Sequence, residues 1–400
     1  MRLNTARLGK ASRLGVVGAA LSSLALLSAC GGSHSSGGTS SGGAGTAGNS
    51  SPPAMIKEAV ARYNSYLQAV PAFDAPGPAF DASKAKGKTV WYVPTSYSIP
   101  IFHVIFGELS SALARVGVSA RVCDGQGNPT DINQCISQAV AQRAGAIIAD
   151  SEPAAIIAAS LMDAKSHNIP VIAGNDGDPS DPIAADVAAN VAFPYSMIGQ
   201  LVADGIIRDS GGKGNVLVLG TSDTPETSAL INRGMLAEFK ANCPQCKVAT
   251  KLVAVADWGT QLQSLTQSTL LASPQTKYVV AEFDAMSAFV IPALAQAANH
   301  VALYTENADL QQMQDLKAGR IAVDVGSSPS REAWAFADES LRLISGVAPV
   351  TESVPVRVFD RSNIGGLTLD QPSLNNDSWY GPASYRADYE GTYQHLWHSS

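Results

Sequence analysis

Cys243-Pro244-Gln245-Cys246 has the C-x-x-C spacing of a dithiol redox site. Redox work wants the first thiol at a helix amino terminus, where the dipole lowers its pKa. Here the pair follows a helical pattern over 228–240 and precedes a strand pattern, so it reads as a structural clip. Cys123 and Cys135 flank the segment DGQGNPTDINQ. These four thiols allow three pairings, of which the local one, Cys123–Cys135 with Cys243–Cys246, is the simplest. The first bridge would stabilise by roughly 3 kcal/mol on loop-entropy grounds. Zinc would need two more ligands at suitable spacing, and the sequence offers none, so no metal or cofactor is implied. GGKGN at 211–215 shares only composition with a phosphate loop, because it precedes a strand rather than following one. The sequence has no G-x-S-x-G, H-E-x-x-H or G-x-x-x-x-G-K-[ST] motif, so no enzyme is expected.

Binding chemistry has better support. Residues 88–117, KTVWYVPTSYSIPIFHVIFGELSSALARVG, read as a buried strand (Thr89–Pro94), a polar turn (Thr95–Ser98) and an amphipathic helix (Ile101–Val116). The strand has the short apolar run of a parallel sheet covered on both faces. Ile101, Val104, Ile105, Leu109, Leu113 and Val116 fall on one stripe of the helix. The turn lies at a strand's carboxyl end and a helix's amino end, where open α/β sheets bind ligands. Tyr97, Ser98 and Phe102 therefore face a candidate site.

Along the rest of the body, strand and helix patterns alternate with short loops. Strands are predicted at 118–123, 146–149 and 169–173, with helices at 130–143 and 154–167 between them and an apolar run at 185–191. After Phe193-Pro194 the pattern restarts and runs through strands at 215–220, 248–254, 278–281, 301–304, 321–325 and 354–359. Strands alternating with helices of this length mean right-handed β-α-β units and parallel sheets. The fold class is thus α/β, with two doubly wound parallel-sheet lobes.

The amino end is of another kind. Residues 1–13 are basic, and Leu14–Ala29 is an apolar run of 16 residues, too short to span a bilayer comfortably and suited to an export signal. It ends Leu27-Ser28-Ala29-Cys30-Gly31, which resembles the bacterial lipobox, whose cysteine is lipidated and becomes the first mature residue. Residues 31–53 are Gly/Ser-rich and read as a tether of roughly 25 Å end to end. His34 within it is solvated. Without residues 1–29 the chain carries 23 basic and 34 acidic side chains, a net charge of −11. This charge, with no Lys/Arg cluster, argues against a nucleic-acid partner.

In order along residues 88–360 the body resembles the ribose-binding-protein-like, type I substrate-binding proteins of ABC transporters. The resemblance rests on KTVWYVPTSYSIPIF, DGQGNPTDINQCISQAVAQRAGAIIAD, HNIPVIAGND, GNVLVLG with SALINRGMLAEF, and the Trp258 segment. It implies a hinge of three crossings, near Asn190–Phe193, Gly326–Pro329 and Thr351–Pro355. The implied amino-terminal lobe is 88–191 with 328–352, and the carboxy-terminal lobe is 192–327 with 353–361. Residues 54–87 form a helical extension with a Pro-rich crossing, and 362–400 are expected to be an irregular tail.

Position by position, the resemblance implies ligand contacts from Tyr97, Ser98, Phe102, Asn175 and Asp176 in the first lobe. In the second lobe it implies Arg233, Trp258, Phe283, Asp284, Glu306 and Ser327. Arg233 matches the family's ligand-binding arginine. Asn175 and Asp176 stand where ribose binders have Asp-Arg, and Phe283 stands at a usual Asn. These departures remove groups that read pentose hydroxyls and leave a more aromatic pocket. The expectation is a monomeric lipoprotein, anchored on the extracytoplasmic face, that captures a small carbohydrate-like ligand for an ABC permease. Alternatives are a ligand sensor of the same fold signalling to a membrane receptor or kinase, and a binder of a nucleoside or aromatic compound.

Overall fold

Successive residues of the first strand point to opposite faces, and both faces are covered. Val90 and Tyr92 belong to one buried cluster and Trp91 and Val93 to another, as expected of a strand inside a parallel sheet. The computed structural model describes residues 52–70, 73–297, 299–352 and 354–398. The export segment, Cys30 and nearly all of the tether lie outside the described residues.

Helix α1 (Pro52–Tyr66) comes first. The amino-terminal lobe then runs β1 (Thr89–Pro94), α2 (Pro100–Ala114), β2 (Ser119–Val122), α3 (Pro129–Ala141), β3 (Ala146–Asp150), α4 (Ala158–Ser166), β4 (Val171–Gly174) and β5 (Ala189–Val191). The sheet order is β2-β1-β3-β4-β5, all parallel. The second lobe begins with α5 (Tyr195–Ser210) and β6 (Asn215–Thr221). A π-helical stretch, Ser228–Leu236, then continues as α6 (Ala237–Asn242). After it come β7 (Lys247–Val253), α7 (Trp258–Ala272), β8 (Tyr278–Ala281), α8 (Asp284–Ala295), β9 (Ala302–Asn307), α9 (Leu310–Lys317) and β10 (Val323–Ser327). The chain returns through α10 (Pro329–Ser345) to β11 (Val356–Asp360), which pairs antiparallel with β10. The second sheet is ordered β11-β10-β9-β8-β6-β7. Reading from β7 to β10, the second lobe repeats the strand order of the first. Its extra antiparallel edge strand is a common addition to doubly wound sheets.

Local chemistry sets the helix starts. Asn128 accepts from the Asp131 amide at 3.0 Å ahead of Pro129, and Ser328 accepts from the Arg331 amide at 2.9 Å ahead of Pro329. Each is a side-chain cap followed by proline in the first turn. Glycine allows α5 to lie close against the π-helical stretch. A Cβ at Gly199 would sit 1.9 Å from the Leu230 carbonyl oxygen, and one at Gly234 would sit 2.6 Å from that of Ser196.

The tail corrects the sequence expectation. Residues 362–400 are not irregular throughout: Gln371–Asn375 (α11) and Tyr385–Trp397 (α12) are helices. Tyr385, Tyr389, Tyr393 and Trp397 recur every four residues and form one buried aromatic stripe. The stripe packs on α10, where Trp334 and Trp397 stack with centroids 5.4 Å apart. As a result α10 is enclosed on both sides, and even Arg331 and Arg342 are fully buried. Arg331 bonds Glu352 at 3.1 Å and lies over the Phe73 ring at 4.3 Å; Arg342 bonds Asp338 at 2.6 Å. Both local cysteine pairs are joined as disulfides.

The two ends of the chain also connect the lobes. Helix α1 packs on α5 of the second lobe, with Arg62 bonding Asp204 at 2.7 Å; the turn Ala82–Ala85 packs on α10, within the first. The tail leaves β11, touches α9 through Leu367 and Leu369, and reaches α10 with α12. The Val70 amide donates to the Tyr380 carbonyl at 2.8 Å, tying extension and tail together. Among the described residues no helix is long and apolar enough to cross a membrane.

Candidate functional site

In each sheet the chain leaves the first strand to one side and returns on the other, so the strand order reverses beside β1 and beside β6. The carboxyl ends at these reversals frame a crevice. Those ends carry Thr95 after β1, Ser151 and Glu152 after β3, Thr224 and Glu226 after β6, and Glu282 after β8. The two crevices face each other and enclose a cavity of about 50 Å³. At ~10–15 Å³ per water this is room for roughly four waters, the space of a compact ligand. Aromatic walls come from Phe102, Phe193, Tyr195, Trp258 and Phe283, and the Trp258 and Phe283 rings lie 6.3 Å apart.

Three lining residues hold left-handed backbone conformations without being glycine: Ser151 (φ 60°), Asn175 (φ 55°) and Asn307 (φ 119°). Each follows or ends a strand. Such conformations persist only where the surroundings over-determine them, and they cluster at ligand sites. Asn175 shows what holds it. Its Nδ2 donates to Asp150 at 2.7 Å and to Glu332 of α10 at 2.8 Å, while its Oδ1 accepts from the Tyr195 hydroxyl at 2.7 Å.

The floor of the cleft is acidic. Asp150, Glu152, Glu226, Glu282, Glu306 and Glu332 are all buried. None of the ion pairs among the described residues includes any of them. Burial, reinforced by repulsion between neighbouring carboxylates, raises their pKa values. Glu226 is pushed up to about 8, Glu152 to about 9 and Glu282 to about 7, each chiefly by desolvation. Glu306 and Glu332 are raised well above the usual carboxylate range for the same reason. Glu226 Oε2, Glu152 Oε1, Glu306 Oε1 and the Trp258 indole Nε1 are buried without a hydrogen-bond partner among the described residues.

Of the residues implied from sequence, Phe102, Asn175, Trp258 and Phe283 line the cavity together. Ser98 is exposed at the outer mouth, a groove of about 490 Å³ that shares Trp258 with the cavity. Tyr97 is half-buried and stacks on His103 at 4.1 Å, to one side of the cavity. Asp176 is half-buried in the same loop as Asn175 and does not line the cavity. Arg233 is also not in the lining: its guanidinium bonds Asp178 at 3.0 Å and Asp181, both on the opposite lobe. Asp284 lies under the cleft at the start of α8, accepting from the Asp309 amide at 2.7 Å. Glu306 belongs to the buried acidic set, and Ser327 is buried at the end of β10 opposite Val356. Sequence reasoning missed Glu152, Glu226 and Glu282. Each directly follows an apolar strand or its turn, and the rule that ligands sit at strand carboxyl ends would have found them.

The family described as "Periplasmic binding protein domain" matches residues 90–347, more than half of the chain. No curated protein matches the chain in sequence. Among solved structures, an ABC sugar transporter subunit from Rhodobacter sphaeroides is 19% identical, with a TM-score of 0.62 over 70% of this chain and 99% of that one. A Caulobacter myo-inositol binding protein, bound to myo-inositol, is 20% identical with a TM-score of 0.62 over 70% and 96%. An Agrobacterium vitis ABC transporter solute-binding protein with bound allitol is 18% identical with a TM-score of 0.61 over 70% and 98%. At these identities the likeness is one of fold.

Proposed function

The chain belongs to the periplasmic binding protein family, and from that premise we propose that it is an extracytoplasmic solute-binding lipoprotein. It captures a small, sugar-like solute between its lobes and delivers it to an ABC importer. The observation that carries this reading is the small aromatic cavity at the facing strand ends, lined from both lobes. A space this confined admits a solute only if the lobes part and close again, the hinge motion of such binders. Function then comes from a higher affinity for the solute in the closed state. Sugars and polyols are the first ligands to test, because the Rhodobacter, Caulobacter and Agrobacterium structures are named for them. Phe102, Trp258 and Phe283 offer aromatic rings to the apolar side of such a ligand, and the Trp258 indole, without a partner among the described residues, offers a donor.

A thermal-shift panel of sugars, polyols, nucleosides and aromatic acids tests this reading. At least one compound should raise the melting temperature of the native chain and fail to raise that of Trp258→Phe, which removes the indole donor, or of Phe283→Ala. Equal shifts in all three proteins would refute the site. Anchoring through Cys30 is supported by the Leu27–Gly31 motif. Cys30→Ser should move the protein from the membrane to the soluble fraction, and unchanged membrane retention would count against lipidation.

A further inference from the structure

Glu226 sits at the carboxyl-end turn of β6 and lines the inter-lobe cavity. It is 2% exposed, and its Oε2 has no hydrogen-bond partner among the described residues. Across the cleft from it are Asp150 and Glu152 of the first lobe. From its own lobe it faces Glu282 and Glu306, and from α10 it faces Glu332; Asp223, three residues earlier, neighbours Glu152 and Glu282 instead. The Tyr195 hydroxyl, held neutral by burial, also neighbours it. No Lys, Arg or His stands among them. The arginine that could have supplied positive charge, Arg233, is committed to Asp178 and Asp181 at the rim.

Ionised carboxylates in a water-poor site are costly, so such a group either keeps its proton or takes a counter-charge. The lining supplies the other half of a cation site. Phe102, Phe193, Trp258 and Phe283 line the same small space, and aromatic rings attract an ammonium group. A bare metal ion fits less well. Among the described residues the acids that converge within 4.8 Å of one another are Asp338, Glu339 and Glu352. Those lie under α12, where Arg331 and Arg342 already balance Glu352 and Asp338. The cleft acids are spread around the cavity instead, which suits a delocalised or hydrated organic charge.

Building on the solute-binding reading, we propose that the solute is a small organic cation bearing a protonated amine or quaternary ammonium group, with Glu226 as its direct counter-charge and the aromatic walls around its carbon skeleton. Asp150, Glu152, Glu282 and Glu306 surround that pair as buried carboxyls that an arriving cation can ionise in turn. A hydroxylated amine, such as an amino sugar or amino alcohol, satisfies both the fold's sugar-like relatives and this electrostatic pattern. Because burial raises the carboxyl pKa values, the empty cleft holds protons near neutral pH that a bound cation displaces. Affinity therefore rises with pH by about tenfold per unit for each proton released, until the carboxyl is ionised in the free protein.

The test is calorimetric titration of the full mature chain at pH 6.0 and 8.0 with choline, glucosamine and putrescine. Glucose, myo-inositol and calcium chloride serve as comparators. Choline keeps its charge at every pH, so its pH dependence reports the protein alone. The expected result is binding of at least one of the three amines, at least tenfold tighter at pH 8.0. Glu226→Gln should weaken that binding at least tenfold while leaving the melting temperature of the empty protein unchanged or higher. Glu152→Gln provides the same comparison from the opposite lobe should Glu226→Gln not fold. Binding of glucose or myo-inositol alone, with no pH dependence, overturns the cation and leaves the solute-binding reading standing. Binding of calcium without any amine also overturns it. Failure of every probe, in a chain that also gives no shift across the wider sugar, nucleoside and aromatic-acid panel, removes both readings.

Discussion

At the rim of the cleft the Arg233 guanidinium reaches from the second lobe to Asp178 and Asp181 on the first. Asp178 also accepts from the Ser196 amide at 2.8 Å, so one carboxylate holds both the rim and the start of α5. With 44% of its side chain exposed, Arg233 forms a solvent-screened latch, and such pairs are worth about 0.2–1 kcal/mol. Arg233→Ala should therefore weaken solute affinity by no more than about fivefold, read by calorimetry. Complete loss of binding would instead place the guanidinium on the ligand. Phe102 was legible in the sequence because it opens the helix that follows the β1 turn, and Asn175, Trp258 and Phe283 because they stand at positions matched in the resembling family. The acids were not. Glu152 and Glu282 each follow an apolar run and look like the polar punctuation of a surface loop. Glu282 is buried beside β6, accepting from the Thr221 amide, and Glu152 faces Glu226 across the cleft; both are neighbours distant in sequence, so only the strand-end position, not a local pattern, points to them.

At the scale of elements, the alternation of strands and helices made the two lobes readable, because period and length are local properties. The least readable element was α12, which follows Gly381-Pro382 and mixes aromatic with charged residues. Its four-residue spacing of Tyr385, Tyr389, Tyr393 and Trp397 is a helical signal, but the surface it covers belongs to α10, far away in the chain. That cover explains how α10 carries two fully buried arginines. Tyr393 donates to Glu352 at 2.8 Å, and Arg331 lies over its ring at 4.9 Å. Tyr393→Ala removes a buried aromatic and leaves the Arg331–Glu352 pair partly unsatisfied. The expected loss is about 3–5 kcal/mol in urea unfolding. A loss below about 1 kcal/mol would mean that α12 is a dispensable cover.

Over the whole molecule the lobes are joined by more than a hinge. Besides the returns around 192–194, 328 and 346–355, the amino-terminal extension and the tail each pass from one lobe to the other. They meet where Val70 bonds Tyr380, and Arg357 beneath them bonds the Trp379 carbonyl. Opening of the cleft must therefore bend five connections rather than three. This favours a limited, well-defined swing over free rotation of the lobes. The excess of acidic side chains and the buried carboxylates in the cleft act in the same direction: both disfavour anionic solutes.

Closure of the lobes on a solute can be measured by pulsed dipolar distances between spin labels at Met162 on α4 and Leu271 on α7. Both positions are well exposed, one on each lobe. The labels should be attached through introduced non-cysteine handles so that both disulfides stay intact. The empty chain should give a broad or two-component distance distribution, collapsing to a single narrow component when a compound that raises the melting temperature is added to saturation. A distribution that the same compound leaves unchanged would contradict capture by closure of the two lobes.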